Sequence, residues 1–221
     1  YKYYNDSELL KETAILLSQS NSIGWFQGRM EFGPRALGSR SILGDARSSE
    51  MQKNLNLKVK YRESFRPFAP SILKDDVADW FELNIDSPYM LFVANVNSNK
   101  TIDMSEQQKK LFGIDKLNIK RSEIPAVTHV DYSARIQTVY EETNPIYFKL
   151  LKKFKEKTNC PVIVNTSFNV RGEPIVNTPT DAFICFMGTE LDKLVIGNCY
   201  LDKKKQNPSL KKDYVKEFEL D

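Results

Sequence analysis

The sequence predicts an α/β domain, because short apolar runs typical of strands alternate with segments whose apolar residues recur at helical spacing. The composition agrees: 41% hydrophobic residues with only 9 Gly and 10 Pro exclude a disordered or collagen-like chain. A chain of 221 residues can bury roughly 70% of its unfolded surface, so it needs no disulfide or metal to fold. We find no internal repeat, so the order of the sheet stays open.

In the first half, Asp6 or Ser7 can cap a helix whose stripe includes Leu9, Leu10 and Leu17. The expected elements are a helix over 6–20, strands over 23–27 and 41–43, a helix over 49–57, a strand over 68–73, a short helix over 75–81 and a strand over 90–96. The last strand is apolar throughout, which is typical of a strand buried on both faces.

The second half begins with the polar, lysine-rich stretch 97–123, which we expect to be a connection or a lid. The elements expected after it are strands over 127–130 and 135–139, a helix over 145–157, a strand over 162–165, a loop over 166–174, a helix over 179–187 and a strand over 193–201. Pro145 and Pro179 suit the first turns of the two helices. We expect one domain over 1–202 and a charged tail over 203–221.

Composition also excludes several functional classes. A net charge of +3 is too small for a protein that coats nucleic acid, and no apolar run is long enough to cross a membrane. Three cysteines without a C-x-x-C pair predict buried thiols in a reducing, cytoplasmic compartment. With His129 as the single histidine, a His/Cys metal site is not expected, and any catalytic metal should come with a phosphate ligand. The start, Tyr1-Lys2-Tyr3-Tyr4, indicates a piece of a longer protein.

Arginine is concentrated in one window, although lysines are spread along the chain. Six of the nine arginines and five of the nine glycines lie between residues 24 and 66. Guanidinium groups bind two oxygens of a phosphate at once, and glycine lets backbone N–H groups approach an anion. The window therefore predicts a polyphosphate pocket, although it contains neither a Walker A loop nor a dinucleotide fingerprint. The alternative is a set of surface ion pairs with neighbouring carboxylates.

Two other segments carry polar side chains beside predicted strands. Asn165, Ser167 and Asn169 alternate after an apolar strand, as in the ligand crevice of an open α/β sheet, although a turn that caps the strand would use the same residues. His129 and Arg135 lie in a segment with apolar flanks, where a hydrogen-bonded structural imidazole is the plainer interpretation of His129.

Four segments together resemble the C-terminal domain of the O-carbamoyltransferase family of nodulation factors and antibiotics: GWFQGRMEFGPRALGSRSIL, KVKYRESFRPFAPSIL, HVDYSARIQTV and PVIVNTSFNVRGEPIV. The resemblance covers about residues 22–201 and implies a YrdC-like fold, with a twisted mixed sheet flanked by helices. It also implies synthesis of carbamoyl-adenylate from carbamoyl phosphate and ATP with Mg²⁺. An N-terminal actin-like domain, absent from this chain, would then pass the carbamoyl group to a small-molecule acceptor.

The resemblance also implies the site residues. The K-x-R and S-x-N signatures of YrdC-like proteins match Lys60-Tyr61-Arg62 and Ser167-Phe168-Asn169. The residues expected to bind ATP or carbamoyl phosphate are Arg35, Lys60, Arg62, Arg66, Arg135, Asn165, Ser167, Asn169 and His129, with Lys60, Arg66 and Arg35 as the catalytic ones. No general base is expected, because carbamate is already nucleophilic. No residue is expected to ligate a metal.

Two alternatives remain at this stage. YrdC-like relatives act in transfer-RNA modification, so a basic RNA-binding module is the first, and its affinity should fall steeply with salt. The second is a structural half that folds but is inactive without its partner domain.

Overall fold

The computed structural model describes residues 1–211. Its strands are β1 Lys2–Tyr3, β2 Ile23–Phe26, β3 Arg40–Asp45, β4 Ala69–Leu73, β5 Phe92–Asn95, β6 Ser133–Val139, β7 Val162–Ser167, β8 Lys193–Ile196 and β9 Cys199–Asp202. Its α-helices are α1 Asp6–Ser18, α2 Met51–Lys58, α3 Val77–Trp80, α4 Glu106–Lys109, α5 Gly113–Leu117, α6 Pro145–Thr158 and α7 Pro179–Gly188. The predicted tail over 203–221 lies outside the described residues from position 212 onward.

The strands form one mixed sheet in the order β1-β9-β8-β2-β3-β7-β4-β6-β5. The pairs β2/β8 and β4/β6 are parallel, and the other neighbours are antiparallel. Helices α1 and α6 pack against each other, α6 lies against β4 and β7, and α7 lies against β2 and β8. The α/β class with a mixed sheet flanked by helices is therefore confirmed.

The two long amphipathic helices begin at residues that satisfy their free N–H groups. Asn5, rather than Asp6 or Ser7, caps α1 in a reciprocal capping box with Glu8. Asn144 caps α6 directly before Pro145. Both helices bury their apolar faces, and that burial fixes them against the sheet.

The strand predicted over 127–130 is wrong. The Val127 N–H donates to the Ile124 carbonyl at 3.2 Å, and Tyr132 adopts a φ of +66°. The Thr128 hydroxyl donates to the Ile124 carbonyl at 2.9 Å, so this segment satisfies its polar groups locally rather than in a ladder.

The strand predicted over 90–96 exists as β5, but its predicted burial is wrong. It pairs only with β6, whose other neighbour is β4, and therefore ends the sheet. Phe92 and Val93 are exposed. Apolar character alone does not tell a central strand from an edge strand.

At the other end of the sheet, the structure contains a strand, β1, that the sequence does not predict. The strand predicted over 193–201 is a hairpin of β8 and β9 that turns at Gly197, where φ is +51°.

The remaining expectations concern the lid and the cysteines. The 97–123 stretch contains α4 and α5, whose residues are half-buried or exposed. Cys160 and Cys185 are buried free thiols and Cys199 is half-buried; burial raises the pKa of Cys160 to about 12. Over residues 1–211, no helix is both long and apolar enough to span a membrane.

Candidate active site

One end of the sheet collects the predicted residues. Strands β3, β4 and β6 begin there and β7 ends there, because Ser41 pairs with Ser167, Ala69 with Asn165, and Ser71 with Gln137. We call this end the site edge. All nine residues predicted to bind ATP or carbamoyl phosphate lie in the loops that enter and leave this edge or in the adjoining ends of β6 and β7, so segments far apart in sequence meet at one end of the fold.

Lys60 is the most enclosed of the positively charged residues among them, with 4% of its surface exposed. Its ammonium donates to the Ser167 carbonyl and, at 3.2 Å, to the Ser167 hydroxyl. It also donates to the Asn169 carbonyl at 3.0 Å and to Asn169 Oδ1 at 2.8 Å. Burial, and next the charge of Arg62, lower the pKa of Lys60 to about 7. The lysine therefore joins the K-x-R segment to the S-x-N turn, and direct contact with a phosphate stays a prediction.

The S-x-N turn is held by its own side chains as well. The Ser167 hydroxyl donates to Asn169 Oδ1 at 2.7 Å, and Asn169 Nδ2 donates to the Glu173 carbonyl at 2.7 Å. Both residues are half-buried at the site edge, where a ligand can reach them. The turn that caps a strand and the ligand crevice, which the sequence left as alternatives, are thus compatible in one structure.

Asn165 has a different environment, with 1% of its surface exposed. Its Nδ2 donates to the Ala36 carbonyl at 3.1 Å and to Gln137 Oε1 at 2.8 Å. Gln137 in turn donates to the Leu37 carbonyl at 2.9 Å and accepts from the Ser71 hydroxyl at 2.6 Å. In this structure Asn165 fixes the segment after Arg35. Its predicted ligand contact is untested.

Arg35 and Arg135 form one positive region of the site edge. Arg35 is exposed, and Arg135 is half-buried. Burial, and next the charge of Arg35, lower the pKa of Arg135. Among the described residues, the buried Arg135 Nε has no hydrogen-bond partner, and Arg135 Nη2 lies 4.0 Å from the Met90 sulfur. Buried donors are normally satisfied, so this guanidinium is suited to an anion from outside the chain.

Arg62 and Arg66 form a second positive region on the loop before β4. Arg62 Nε donates to Asn56 Oδ1 at 2.6 Å, and its guanidinium carbon lies 5.0 Å from the centre of the Phe68 ring. Burial, then the charge of Arg66, lower the pKa of Arg62 to about 10, and Arg171 contributes in the same direction. Arg66 is exposed and pairs with Glu63 at 3.0 Å. Concentrated positive charge favours a polyanionic ligand here.

His129 keeps its plainer interpretation. Its Nδ1 lies 3.1 Å from the Ser133 hydroxyl, which donates to Asp131 Oδ1 at 2.7 Å. Burial lowers the pKa of His129 in spite of the nearby Asp131 carboxylate. The imidazole is therefore neutral near pH 7 and stabilises the turn before β6.

Some arginines of the window support the fold. Arg40 is buried, donates to the Gln27 and Gly28 carbonyls at 2.9 and 3.2 Å, and lies 3.4 Å from the centre of the Phe26 ring. Arg47 pairs with Asp45 at 2.7 Å, at the end of β3 opposite the site edge. For Arg47 the ion-pair interpretation is thus correct.

Four residues that shape the site edge are not among the residues predicted to bind the ligands: Glu31, Asn56, Ser71 and Gln137. Glu31 lies inside the quoted GRMEFGPRALG segment, and Gln137 stands two positions after Arg135, on the same side of β6. Asn56 Nδ2 donates to the Ser64 and Arg66 carbonyls at 3.1 and 2.9 Å. Strand alternation could have identified Gln137. The other contacts depend on how distant loops fold together.

The aromatic side chains of the candidate segments differ in exposure. Trp25 and Phe68 are buried core residues, and Phe65 is exposed. In the described part of the chain, no group of three or more His, Cys, Asp or Glu side chains could hold a metal ion.

One family model and several known proteins match most of this chain. The family described as "Carbamoyltransferase C-terminus" matches residues 14–203. The uncharacterized protein sll1178 of Synechocystis sp. is 59% identical, with 100% of this chain and 36% of that protein covered. The nodulation protein NolO of Bradyrhizobium diazoefficiens is 41% identical, with 89% and 33% covered. The 3'-hydroxymethylcephem-O-carbamoyltransferase of Streptomyces clavuligerus is 34% identical, with 83% and 31% covered.

These relatives are much longer, since the chain spans about a third of the length of each one. Among solved structures, full-length HypF in its phosphate- and nucleotide-bound form has a TM-score of 0.48 and 17% identity, with 83% of this chain and 20% of that chain covered. A likeness this low says nothing about the ligands of this chain.

Proposed function

This chain belongs to the carbamoyltransferase C-terminal family, and from that premise we propose that it activates a carbamoyl group for transfer to an acceptor hydroxyl. The proposed reaction consumes carbamoyl phosphate and ATP and forms carbamoyl-adenylate. The observation that carries the proposal is the half-buried Arg135 guanidinium, whose buried Nε lacks an acceptor within residues 1–211 and which lies near the exposed Arg35.

The reaction has two steps. Water first cleaves carbamoyl phosphate to carbamate and inorganic phosphate. A carbamate oxygen then attacks the α-phosphorus of ATP, the bond between the α-phosphorus and the bridging oxygen breaks, and pyrophosphate leaves with that electron pair. Several negative charges meet in the second step, so catalysis depends on cations and on orientation.

The two positive regions divide this work. Arg35 and Arg135 hold one anionic group, and Arg62 with Arg66 holds further phosphates. Ser167 and Asn169 offer hydroxyl and amide groups to the nucleotide, at positions that Lys60 fixes. Asn165 acts through the segment after Arg35, and His129 through the turn before β6.

Mg²⁺ fits this site only as a companion of the phosphates of ATP. The carboxylates at the site edge already serve protein groups: Glu63 pairs with Arg66, Glu173 accepts from the Val170 N–H at 3.1 Å, and Asp131 accepts from Ser133. When bound, the ion would neutralise charge on the phosphates.

The rest of the reaction needs more protein than this chain. Because the chain spans about a third of the length of its relatives, we propose that an additional domain, actin-like as the resemblance implies, transfers the carbamoyl group to the small-molecule acceptor. The names of the relatives reported above do not favour the RNA-binding alternative.

A thermal-shift titration tests the activation step. ATP with Mg²⁺ should raise the unfolding temperature of this chain, and carbamoyl phosphate should change the shift further, because a ligand that binds only the folded state stabilises it. Isotope exchange between pyrophosphate and ATP that depends on carbamoyl phosphate should accompany the shift. Absence of both effects would reject an autonomous activation domain. Binding of RNA that ATP does not displace would favour the alternative.

A further inference from the structure

Glu31 places its carboxylate in a ring of backbone N–H groups beside Arg35. Its Oε1 accepts from the Leu37 N–H at 2.9 Å, the Ser39 N–H at 2.6 Å and the Arg40 N–H at 3.3 Å. Successive backbone N–H groups that converge on one oxygen form an anion-binding nest. Glu31 Oε2 is buried and, among the described residues, has no hydrogen-bond partner. The carboxylate thus serves as an internal anion.

The carbonyl groups of the same segment are held from the opposite side. Asn165 donates to the Ala36 carbonyl, and Gln137 donates to the Leu37 carbonyl at 2.9 Å. Trp25 Nε1 donates to the Gly38 carbonyl at 2.9 Å. Both the donors and the acceptors of the segment are therefore bound, and Glu31 is the shared acceptor of three of the donors.

Gly38 permits this conformation, since its φ is +108° and an added Cβ would lie 2.3 Å from Tyr147 Cδ1. The backbone at this point therefore lies close to Tyr147 of α6, and a residue with a side chain does not fit.

Arg35 needs such a support. It is exposed on this segment, and its charge lowers the pKa of Arg135, so the two guanidinium groups repel each other while no ligand is bound. We propose that Glu31 is the positioning residue of Arg35: its carboxylate fills the nest of residues 37–40 and holds Arg35 beside Arg135 for the incoming anion. The inference rests on the proposed function in one respect, that Arg35 binds a phosphate of ATP or carbamoyl phosphate.

The test compares Glu31→Ala with Glu31→Gln and with Glu50→Ala. Glu50→Ala is the matched control, because it removes the same charge from an exposed side chain that makes no cap hydrogen bond. Glu31→Ala should weaken ATP binding, measured by calorimetry, about tenfold, because a displaced Arg35 loses part of its charge-assisted contact with the phosphate. Glu31→Gln keeps an oxygen acceptor and should lose less affinity, and Glu50→Ala should bind as the unchanged chain does.

Sodium formate provides a readout that a general structural defect would not give. Formate can enter the nest left by Glu31→Ala, so it should restore ATP affinity and raise the unfolding temperature of this variant more than sodium chloride at equal ionic strength. Formate should not restore the ATP affinity of Arg35→Ala or of the double variant Glu31→Ala/Arg35→Ala.

Three results would overturn the inference: unchanged ATP affinity in Glu31→Ala, equal losses in Glu31→Ala and Glu50→Ala, or a loss that formate does not relieve. If Glu31→Ala does not fold, ATP affinity in Glu31→Gln decides: a loss smaller than that of Arg35→Ala is expected, and an affinity equal to that of the unchanged chain would count against the inference. Failure of the proposed function is distinct, since the unchanged chain would then not bind ATP, while the formate-dependent unfolding temperature of Glu31→Ala would still show whether the nest binds a carboxylate.

Discussion

The surroundings of Lys60 and the region of Arg35 and Arg135 differ in how their positive charge is satisfied. Around Lys60 the ammonium donates to four oxygens of the S-x-N turn, and the cation is enclosed by the protein. Around Arg35 and Arg135 one guanidinium is exposed, and the other has a buried Nε without an acceptor within residues 1–211. Lys60 therefore stabilises the fold of the site, and the cations of the region of Arg35 and Arg135 are available to bind a ligand. Residue type alone does not separate these roles.

Replacing Lys60 should have the largest effect, because one side chain supports both the fold and the site. Lys60→Met leaves the carbonyls of Ser167 and Asn169 without their donor, and each unsatisfied buried group costs about 1–3 kcal/mol. We expect the free energy of unfolding to fall by about 2–4 kcal/mol in urea titrations. Pyrophosphate exchange should fall at least about 100-fold, because the S-x-N turn loses its anchor.

Lys58→Met is the matched control for this change. Lys58 is an exposed lysine in the last turn of α2, two residues before Lys60. It should change unfolding by less than about 0.5 kcal/mol. If Lys60→Met had the same free energy of unfolding as Lys58→Met, the S-x-N turn would not depend on the Lys60 cation. The contrast between Lys60 and the region of Arg35 and Arg135 would then fail.

Replacing Arg135 should lower ligand affinity but not stability, and replacing Arg47 should lower stability but not ligand affinity. Arg135→Met removes a donor that the protein leaves unused, so stability should stay within about 1 kcal/mol while affinity for ATP or carbamoyl phosphate falls about 10–100-fold. Arg47→Met leaves the buried Asp45 carboxylate without its partner, so stability should fall by about 2 kcal/mol or more while affinity stays unchanged. Calorimetry and urea titration measure the two properties.

The opposite pattern would exchange the assigned roles. If Arg135→Met destabilised the chain and bound ATP normally, Arg135 would be a structural residue, and the region of Arg35 and Arg135 would not be a ligand-binding region.

The sequence predicts the fold class, most element positions and the set of loops that form the site, because these depend on local periodicity and on long motifs. It does not predict that β5 is an edge strand or that 127–130 is a turn, since both depend on which segments lie beside them. Nor does it tell the enclosed Lys60 from the exposed Arg35. That distinction depends on acceptors more than 100 residues away along the chain.

The smallest effect should come from replacing Arg66. This residue is exposed like Arg35, but it has a partner within the protein, as Lys60 does. Its ion pair with Glu63 is exposed, with 45% and 37% of the two side chains accessible, so the pair contributes less than about 1 kcal/mol. Lys153 and Glu156 on α6 form a pair with the same i,i+3 spacing and similar exposure, 44% and 51%, and α6 leads into the end of β7 opposite the site edge. Lys153→Ala is therefore the matched control.

Arg66→Ala and Lys153→Ala should both leave the unfolding temperature nearly unchanged, and only Arg66→Ala should weaken ATP binding. We expect a loss of about three- to tenfold that shrinks as salt rises, because an exposed charge acts on a polyanion through screened electrostatics. Equal affinity in both variants would remove Arg66 from the ligand-binding residues. A loss in Arg66→Ala that does not depend on salt would instead indicate a direct, desolvated contact with the phosphate.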